Sequence, residues 1–143
     1  MAEAVKSGLI EVIATDHAPW SDEKKLKEFK LAPNGISGIE TAIALTWTAL
    51  VVGIGMHPSD FISRFTAGPA KALGLRVPSL APGTVADITI IDPVASREVI
   101  PAQFLSKGKS SPASGMKLCG WPYAAIIGGS LVMQGGEVRR VRI

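Results

Sequence analysis

The sequence predicts an α/β protein in which one strand–helix unit and further helices precede a small antiparallel sheet. Three observations predict this class: a β-branched apolar run near the start, a long apolar helical pattern at 38–53, and short strands around two Gly-Gly turns near the end. The 143 residues are 47% hydrophobic and 19% charged, so the chain can bury a core. This length suits one ordinary domain or a piece of a larger one.

The first elements place an acidic residue at the end of a predicted strand. Residues 2–7 predict the last turns of a helix that ends at Gly8. The apolar run at 9–15 predicts a buried strand, and Asp16 follows it directly. Catalytic groups of α/β barrels lie at the C-terminal ends of strands, which makes Asp16 the first candidate. The alternative is that Asp16 only caps the next turn.

A turn and a long helix follow. A short helix is predicted at 21–29, and the Pro, Asn and Gly at 32–35 predict a turn. Ser37 and Glu40 have the spacing of a capping box, which predicts a helix from about 38 to Gly53. Apolar residues surround this helix, so we expect it to be buried on all sides.

The second half of the chain is predicted to be mostly strands and loops. The composition shifts near residue 76, which divides the chain into a helical part at 1–75 and a sheet part at 76–143. The remaining predicted elements are helices at 59–66 and 66–75, a loop-rich stretch at 93–120, and strands at 85–92, 123–127, 130–134 and 137–142. Gly128-Gly129 predicts a two-residue hairpin turn, and Gly135-Gly136 a second turn.

Composition argues against several classes of protein. A net charge of +3 is too small to indicate a nucleic-acid partner. The start of the chain lacks the apolar core of a signal peptide, and the uncharged stretch at 41–56 is too short to span a membrane. The single cysteine, Cys119, excludes an internal disulfide. We therefore expect a cytoplasmic protein without a membrane or nucleic-acid partner.

The predicted architecture is not closed. A lone strand near the start cannot form a parallel sheet, because parallel strands need neighbours and cover on both faces. The apolar helix at 38–53 also needs packing partners that the chain hardly supplies. We therefore expect the sequence to be the C-terminal segment of something larger, or to depend on a partner chain.

Several motifs, taken in order, resemble one known family. They are Ile13-Ala14-Thr15-Asp16-His17-Ala18-Pro19, Ala32-Pro33-Asn34-Gly35-Ile36-Ser37-Gly38-Ile39-Glu40-Thr41, Ala81-Pro82-Gly83 and Ala86-Asp87-Ile88-Thr89-Ile90-Ile91-Asp92. Over essentially its whole length the chain resembles the C-terminal third of a bacterial-type dihydroorotase, a cyclic amidohydrolase. Hydantoinases and allantoinases share the layout more loosely. The resemblance implies a (β/α)8 barrel, with 9–15 as its last strand and 38–53 as the following helix, and a small antiparallel β-sandwich to which 85–142 contribute.

The resemblance also implies a chemistry. The family interconverts N-carbamoyl-aspartate and dihydroorotate in pyrimidine synthesis and uses one or two zinc ions, which lower the pKa of bound water towards about 7. It implies that Asp16 is both a metal ligand and the acid–base group, and that Asn34 and Gly35 form the substrate-binding turn. Trp20 stands where the family has a histidine that binds the substrate carboxylate, and an indole has one N–H and no charge.

The predicted zinc centre is incomplete. The family takes its other ligands from earlier strands, whereas this chain has two histidines and no His-x-His pair. Because a catalytic zinc typically needs three protein ligands, we expect these residues alone to be inactive, and the site to be completed by the remainder of the barrel or by a partner chain. His17 is expected to be packed or hydrogen-bonded, His57 to be structural or exposed, and Cys119 to be a small apolar filler.

Two alternatives to a dihydroorotase-like enzyme remain open. The first is a non-catalytic, dihydroorotase-like scaffold subunit, for instance beside aspartate transcarbamoylase, which Trp20 favours. The second is a hydantoinase-like or allantoinase-like hydrolase, in which an altered carboxylate pocket would be natural.

Overall fold

The computed structural model describes residues 1–139. Five short helices occupy the first half of the chain and four strands the second half. The helices are α1 (Ala2–Lys6), α2 (Asp22–Lys25), α3 (Ala42–Trp47), α4 (Pro58–Phe65) and α5 (Ala67–Ala72), and the strands are β1 (Ile88–Glu98), β2 (Lys117–Ile127), β3 (Ser130–Gln134) and β4 (Glu137–Val138). A π-helical turn (Thr48–Val52) continues α3, and a 3₁₀ turn (Pro101–Gln103) follows β1. Among the described residues, no helix is long and apolar enough to cross a membrane.

Residues 9–15 do not form the predicted strand. The segment packs beside α4, where the Ile13 N–H donates to the Arg64 carbonyl at 3.1 Å, and Leu9 remains 82% exposed. The nearest ladder contact is a single parallel bridge between His17 and Ile36. A parallel strand is defined by neighbours on either side, and residues 1–139 offer no such neighbour to this segment.

The predicted capping box is also wrong. The helix begins at Ala42 rather than near 38, and its N-cap residue, Thr41, makes no side-chain cap. The Ser37 hydroxyl donates instead to the Gly108 carbonyl, and the Glu40 carboxylate accepts from two N–H groups of a distant loop. The side chains of Ser37 and Glu40 therefore bind distant segments of the chain rather than the start of the helix.

A threonine ties the end of this helix to the sheet. The Thr48 hydroxyl donates to the Ala44 carbonyl at 2.7 Å and accepts the Cys119 N–H of β2 at 2.8 Å. This segment is not buried on all sides, as the sequence predicts: Trp47 and Leu50 are buried, whereas Val52 is 60% exposed. No described residue covers the face of the helix that carries Val52.

The four strands form one antiparallel sheet in the order β1-β2-β3-β4. The hairpin at Gly128-Gly129 is confirmed: both glycines have positive φ, +55° and +81°, between the paired residues Ile127 and Ser130. The second Gly-Gly turn joins β3 to β4, and residues 140–142 of the last predicted strand lie outside the described residues. Because residues 1–139 contain a single sheet, the two-layered sandwich stays a prediction.

Strand β1 runs six residues beyond its predicted end. Its ladder with β2 is irregular between Asp92 and Ser96, where the Asp92 carboxylate accepts the N–H groups of Val94 and Ala95, both at 3.0 Å. These bonds satisfy the backbone of the bulged residues, so the strand continues through a proline at which the sequence predicts a loop.

Trp47 lies at the centre of the contact between helices and sheet. Its ring meets Phe61 edge to face, with the ring centroids 5.2 Å apart, and Phe61 is fully buried. Gly120 of β2 has φ +75°, and a Cβ there would come within 2.2 Å of the Trp47 ring. Only glycine allows the strand to approach the indole this closely.

Candidate functional site

Asp16 occupies an unusual backbone position. Its φ is +42°, and it is the one residue other than glycine with positive φ among residues 1–139. Its side chain is exposed and accepts no hydrogen bond from the described residues. Left-handed conformations are costly for residues that carry a Cβ, although aspartate tolerates them better than most, and such strain tends to collect at functional sites.

Asp16 lies beside the segment that contains the predicted substrate turn. The bridge between His17 and Ile36 is closed by the Ala18 N–H, which donates to the Ile36 carbonyl at 3.1 Å. Gly38 lies against the Thr15 carbonyl on the other side. The carboxylate-bearing residue is therefore held between two backbone contacts to residues 36–38.

His17 is hydrogen-bonded, as expected. Its Nδ1 accepts the N–H groups of Gly38 and Ile39, at 3.1 and 3.2 Å. Both bonds require Nδ1 without a proton, so the imidazole holds the backbone that leads into α3.

The structure brings Trp20, Asn34 and Gly35 together. The Trp20 indole N–H donates to the Asn34 carbonyl at 2.7 Å. Gly35 has φ +119°, and a Cβ at this position would come within 2.6 Å of the Ala18 carbonyl oxygen and 3.3 Å of Trp20 Nε1. The turn therefore needs glycine both for its backbone angle and for its close approach to the Trp20 loop.

Two lysines surround this contact. Lys25 Nζ donates to the Pro33 carbonyl at 3.1 Å and to the Gly35 carbonyl at 3.0 Å. Lys24 Nζ lies 4.7 Å from the centre of the Trp20 ring, within the range of a cation–π interaction. Sequence reasoning missed Lys25, because nothing in a run of surface lysines distinguishes the one that folds back onto a turn.

A loop from the sheet side of the molecule supports the same region. The Glu40 carboxylate accepts the N–H groups of Leu105 and Ser106, at 2.8 and 2.9 Å, and Ser37 N–H donates to the Ser110 carbonyl at 2.8 Å. Between these points, Gly108 lies so close to the Trp20 loop that a Cβ would come within 2.6 Å of Pro19 Cβ. We call residues 104–110 the supporting loop.

No three histidine, cysteine or acidic side chains meet in a group that could hold a metal ion within residues 1–139. His57 is exposed and caps α4, where its Nδ1 accepts the Ser59 N–H at 3.3 Å. Cys119 is partly buried against the cluster that contains Trp47. Neither lies with Asp16 in such a group, so the described residues do not by themselves fit a catalytic zinc.

Comparison with known proteins identifies relatives of this arrangement. The model of the amidohydrolase family matches residues 1–132. A dihydroorotase from Pelotomaculum thermopropionicum is 47% identical over 137 residues, which are 96% of this chain and 32% of that protein. A dihydroorotase from Bacillus cereus is 42% identical over 134 residues, 94% of this chain and 31% of that protein. The chain therefore spans about a third of the length of these relatives.

Solved structures of two hydantoinases have a similar fold over this segment. An L-hydantoinase (dihydropyrimidinase) from Arthrobacter aurescens superposes with a TM-score of 0.89 at 30% identity, over 97% of this chain and 32% of that one. A D-hydantoinase (dihydropyrimidinase) from Thermus sp. gives a TM-score of 0.87 at 26% identity, over 96% of this chain and 31% of that one. The fold of the described residues is thus similar to about a third of a hydantoinase.

Proposed function

The chain belongs to the amidohydrolase family, and on that premise we propose that it forms the part of a cyclic amide hydrolase that carries the proton-transferring carboxylate, Asp16. The observation that supports this most is the state of Asp16 itself. Its carboxylate is exposed and unpartnered among residues 1–139, on a left-handed backbone, beside the turn at Asn34-Gly35. A purely structural cap would instead accept a local N–H.

The proposed step needs one group that both accepts and donates a proton. A water oxygen bonds to the ring carbonyl carbon, and Asp16 takes a proton from that water. The C–N bond then breaks, and Asp16 gives the proton to the leaving nitrogen. The carboxylate is regenerated, so atoms and charge balance over the cycle.

A metal would need a set of donors that the described residues do not bring together. We propose that Asp16 supplies one oxygen ligand to a zinc centre, and that its other ligands lie outside this sequence, in the rest of a barrel or in a partner chain. The support is the share of the relatives that this chain spans, about a third.

Two substrates are candidates. The dihydroorotase relatives favour dihydroorotate and its open form, N-carbamoyl-aspartate. Trp20 favours a second candidate, a hydantoin-type ring without a carboxylate: its single N–H is already donated to the Asn34 carbonyl, so no donor remains on this side chain for a substrate carboxylate. Loss of one charge-assisted hydrogen bond weakens binding by roughly tenfold to a hundredfold.

The test is an assay of the complete natural protein, with any chain that co-purifies, after zinc loading. Hydrolysis of dihydroorotate and of hydantoin is measured for the wild type, Asp16→Asn and Asp60→Asn. Asparagine tolerates positive φ, so Asp16→Asn keeps the backbone while removing the base. We expect its kcat to fall by about 10²- to 10⁴-fold, with Asp60→Asn, an exposed carboxylate on α4, unchanged.

Two other results would contradict parts of this proposal. Equal activity of Asp16→Asn and wild type would contradict the role of Asp16. Failure of the zinc-loaded complete protein to hydrolyse either compound would contradict the hydrolase and favour the non-catalytic scaffold.

A further inference from the structure

Three consecutive carbonyl groups of the turn at Pro33-Asn34-Gly35 are held by side chains of one short segment. Lys25 Nζ donates to the first and third, at 3.1 and 3.0 Å, and Trp20 Nε1 donates to the second at 2.7 Å. The lysine is partly buried, although most lysines of this chain are exposed. Two side chains thus use three hydrogen bonds to fix one turn.

The N–H groups of the same peptides are left open. The Pro33 carbonyl shares a peptide unit with the Asn34 N–H, and the Asn34 carbonyl shares one with the Gly35 N–H. Neither N–H donates to an acceptor within the part of the chain that the structure describes. Asn34 is exposed and Gly35 is partly buried, so both N–H groups are open to water or to an oxygen of a ligand.

Electronic coupling joins the two ends of each peptide. Resonance spreads charge across the planar O–C–N–H unit, so a donor at the oxygen draws electron density from the nitrogen. Hydrogen bonds arranged in such a chain strengthen one another, and a charged donor has the larger effect. Lys25 therefore makes the Asn34 N–H a better donor, and Trp20 does the same for the Gly35 N–H.

The family resemblance implies that this turn binds the substrate. We propose that Lys25, together with Trp20, is a positioning residue that fixes and polarises the turn, which makes the N–H groups of Asn34 and Gly35 stronger donors to a substrate oxygen. The inference rests on the proposed hydrolase function, of which it specifies the binding step. Trp20 acts on the turn rather than on the ligand, since its one donor is used there. Lys25 also acts through the turn, because its ammonium lies at the carbonyl ends of the peptides.

The experiment uses the complete protein labelled with ¹⁵N and titrated with hydantoin and, separately, with dihydroorotate. In the wild type we expect the Asn34 and Gly35 amide signals to shift on saturation with at least one of the two compounds. Without ligand, Lys25→Met should move the Asn34 amide proton to higher field, and Trp20→Phe should move that of Gly35. If the two side chains only stabilised the fold, each substitution would not selectively shift the amide of the peptide whose carbonyl that side chain contacts.

Affinity provides the second readout. We expect Lys25→Met to weaken binding about tenfold and Lys25→Arg to recover most of it, because a guanidinium can also donate to two oxygens. Lys27→Met, at an exposed lysine two residues away, is the matched control and should bind as the wild type does. If neither compound shifts the amide signals of Asn34 and Gly35, or if Lys25→Met binds with wild-type affinity, the proposal is wrong.

The two proposals fail in different ways. Ligand-induced shifts at Asn34 and Gly35 without any hydrolysis would contradict the hydrolase and leave the binding turn supported. If hydrolysis depends on Asp16 but is unaffected by substitution of Lys25, the positioning role of Lys25 is wrong, and the proposed hydrolase function remains supported.

Discussion

Substitution of Gly108 by alanine should disturb the candidate site from the far side of the chain. Gly108 is buried, and a Cβ there would come within 2.6 Å of Pro19 Cβ, 2.9 Å of the Trp20 carbonyl oxygen and 3.2 Å of Pro19 Cα. Carbon atoms prefer separations of about 3.5–4.0 Å, so the two loops must part by roughly 1 Å. The obstructing atoms belong to backbone and a proline ring, which cannot swing away.

The expected magnitude follows from overpacking alone, because Gly108 is not among the glycines with positive φ. Extra methyl groups in packed regions typically cost about 1–3 kcal/mol. We expect the free energy of unfolding to fall by this amount. A shift of Pro19 and Trp20 should also lengthen the bond from Trp20 Nε1 to the Asn34 carbonyl, which is 2.7 Å in the structure.

Urea unfolding of the complete protein, followed by circular dichroism, measures the free energy of unfolding, and the Gly35 amide shift reports on the Trp20 bond. Gly38→Ala is the matched control: it lies in the segment 36–38 beside Asp16, but a Cβ there would be 3.5 Å from its nearest neighbour, an ordinary contact. We expect the free energy of unfolding of this control to lie within about 0.5 kcal/mol of the wild type, since it causes no overpacking. An unchanged free energy of unfolding and an unchanged Gly35 shift in Gly108→Ala would refute the idea that the supporting loop sets the position of Trp20.

Two further substitutions test how the helices are joined to the sheet and to the supporting loop. Thr48→Val should lower the free energy of unfolding by about 1–3 kcal/mol in urea titration, because the partly buried Cys119 N–H loses its acceptor, whereas Thr48→Ser should retain most of the stability. Glu40→Gln should speed amide hydrogen exchange at Leu105 or Ser106 by about tenfold, because a single amide oxygen replaces the two carboxylate oxygens that accept these N–H groups at 2.8 and 2.9 Å. Wild-type stability in the first variant, or wild-type exchange in the second, would contradict the assigned bonds.

Part of the fold could be predicted because its cause is local. The hairpin at Gly128-Gly129 needs two residues of positive φ, a requirement that glycine meets wherever it stands in the chain. The amphipathic helix observed as α4 lies within one residue of its predicted position, since its proline start and its apolar spacing are both local signals. The candidate site was also visible in part: Asp16 and the turn at 32–35 stand out by residue type alone.

Tertiary contacts decided the rest. Ser37 and Glu40 have the spacing of a helix cap, but their side chains bind the supporting loop about 70 residues away, and no local pattern reveals such a partner. Residues 9–15 have the composition of a strand, yet strand structure requires a neighbouring ladder, which residues 1–139 do not provide. Lys25 resembles its neighbours in the sequence and differs from them only in where its ammonium lies. By itself, the sequence thus determined which residues are candidates for the chemistry and where the chain turns, because those properties belong to single residues and short segments. Only the packed chain decided which of them meet, because hydrogen bonds between distant segments depend on the whole path of the backbone.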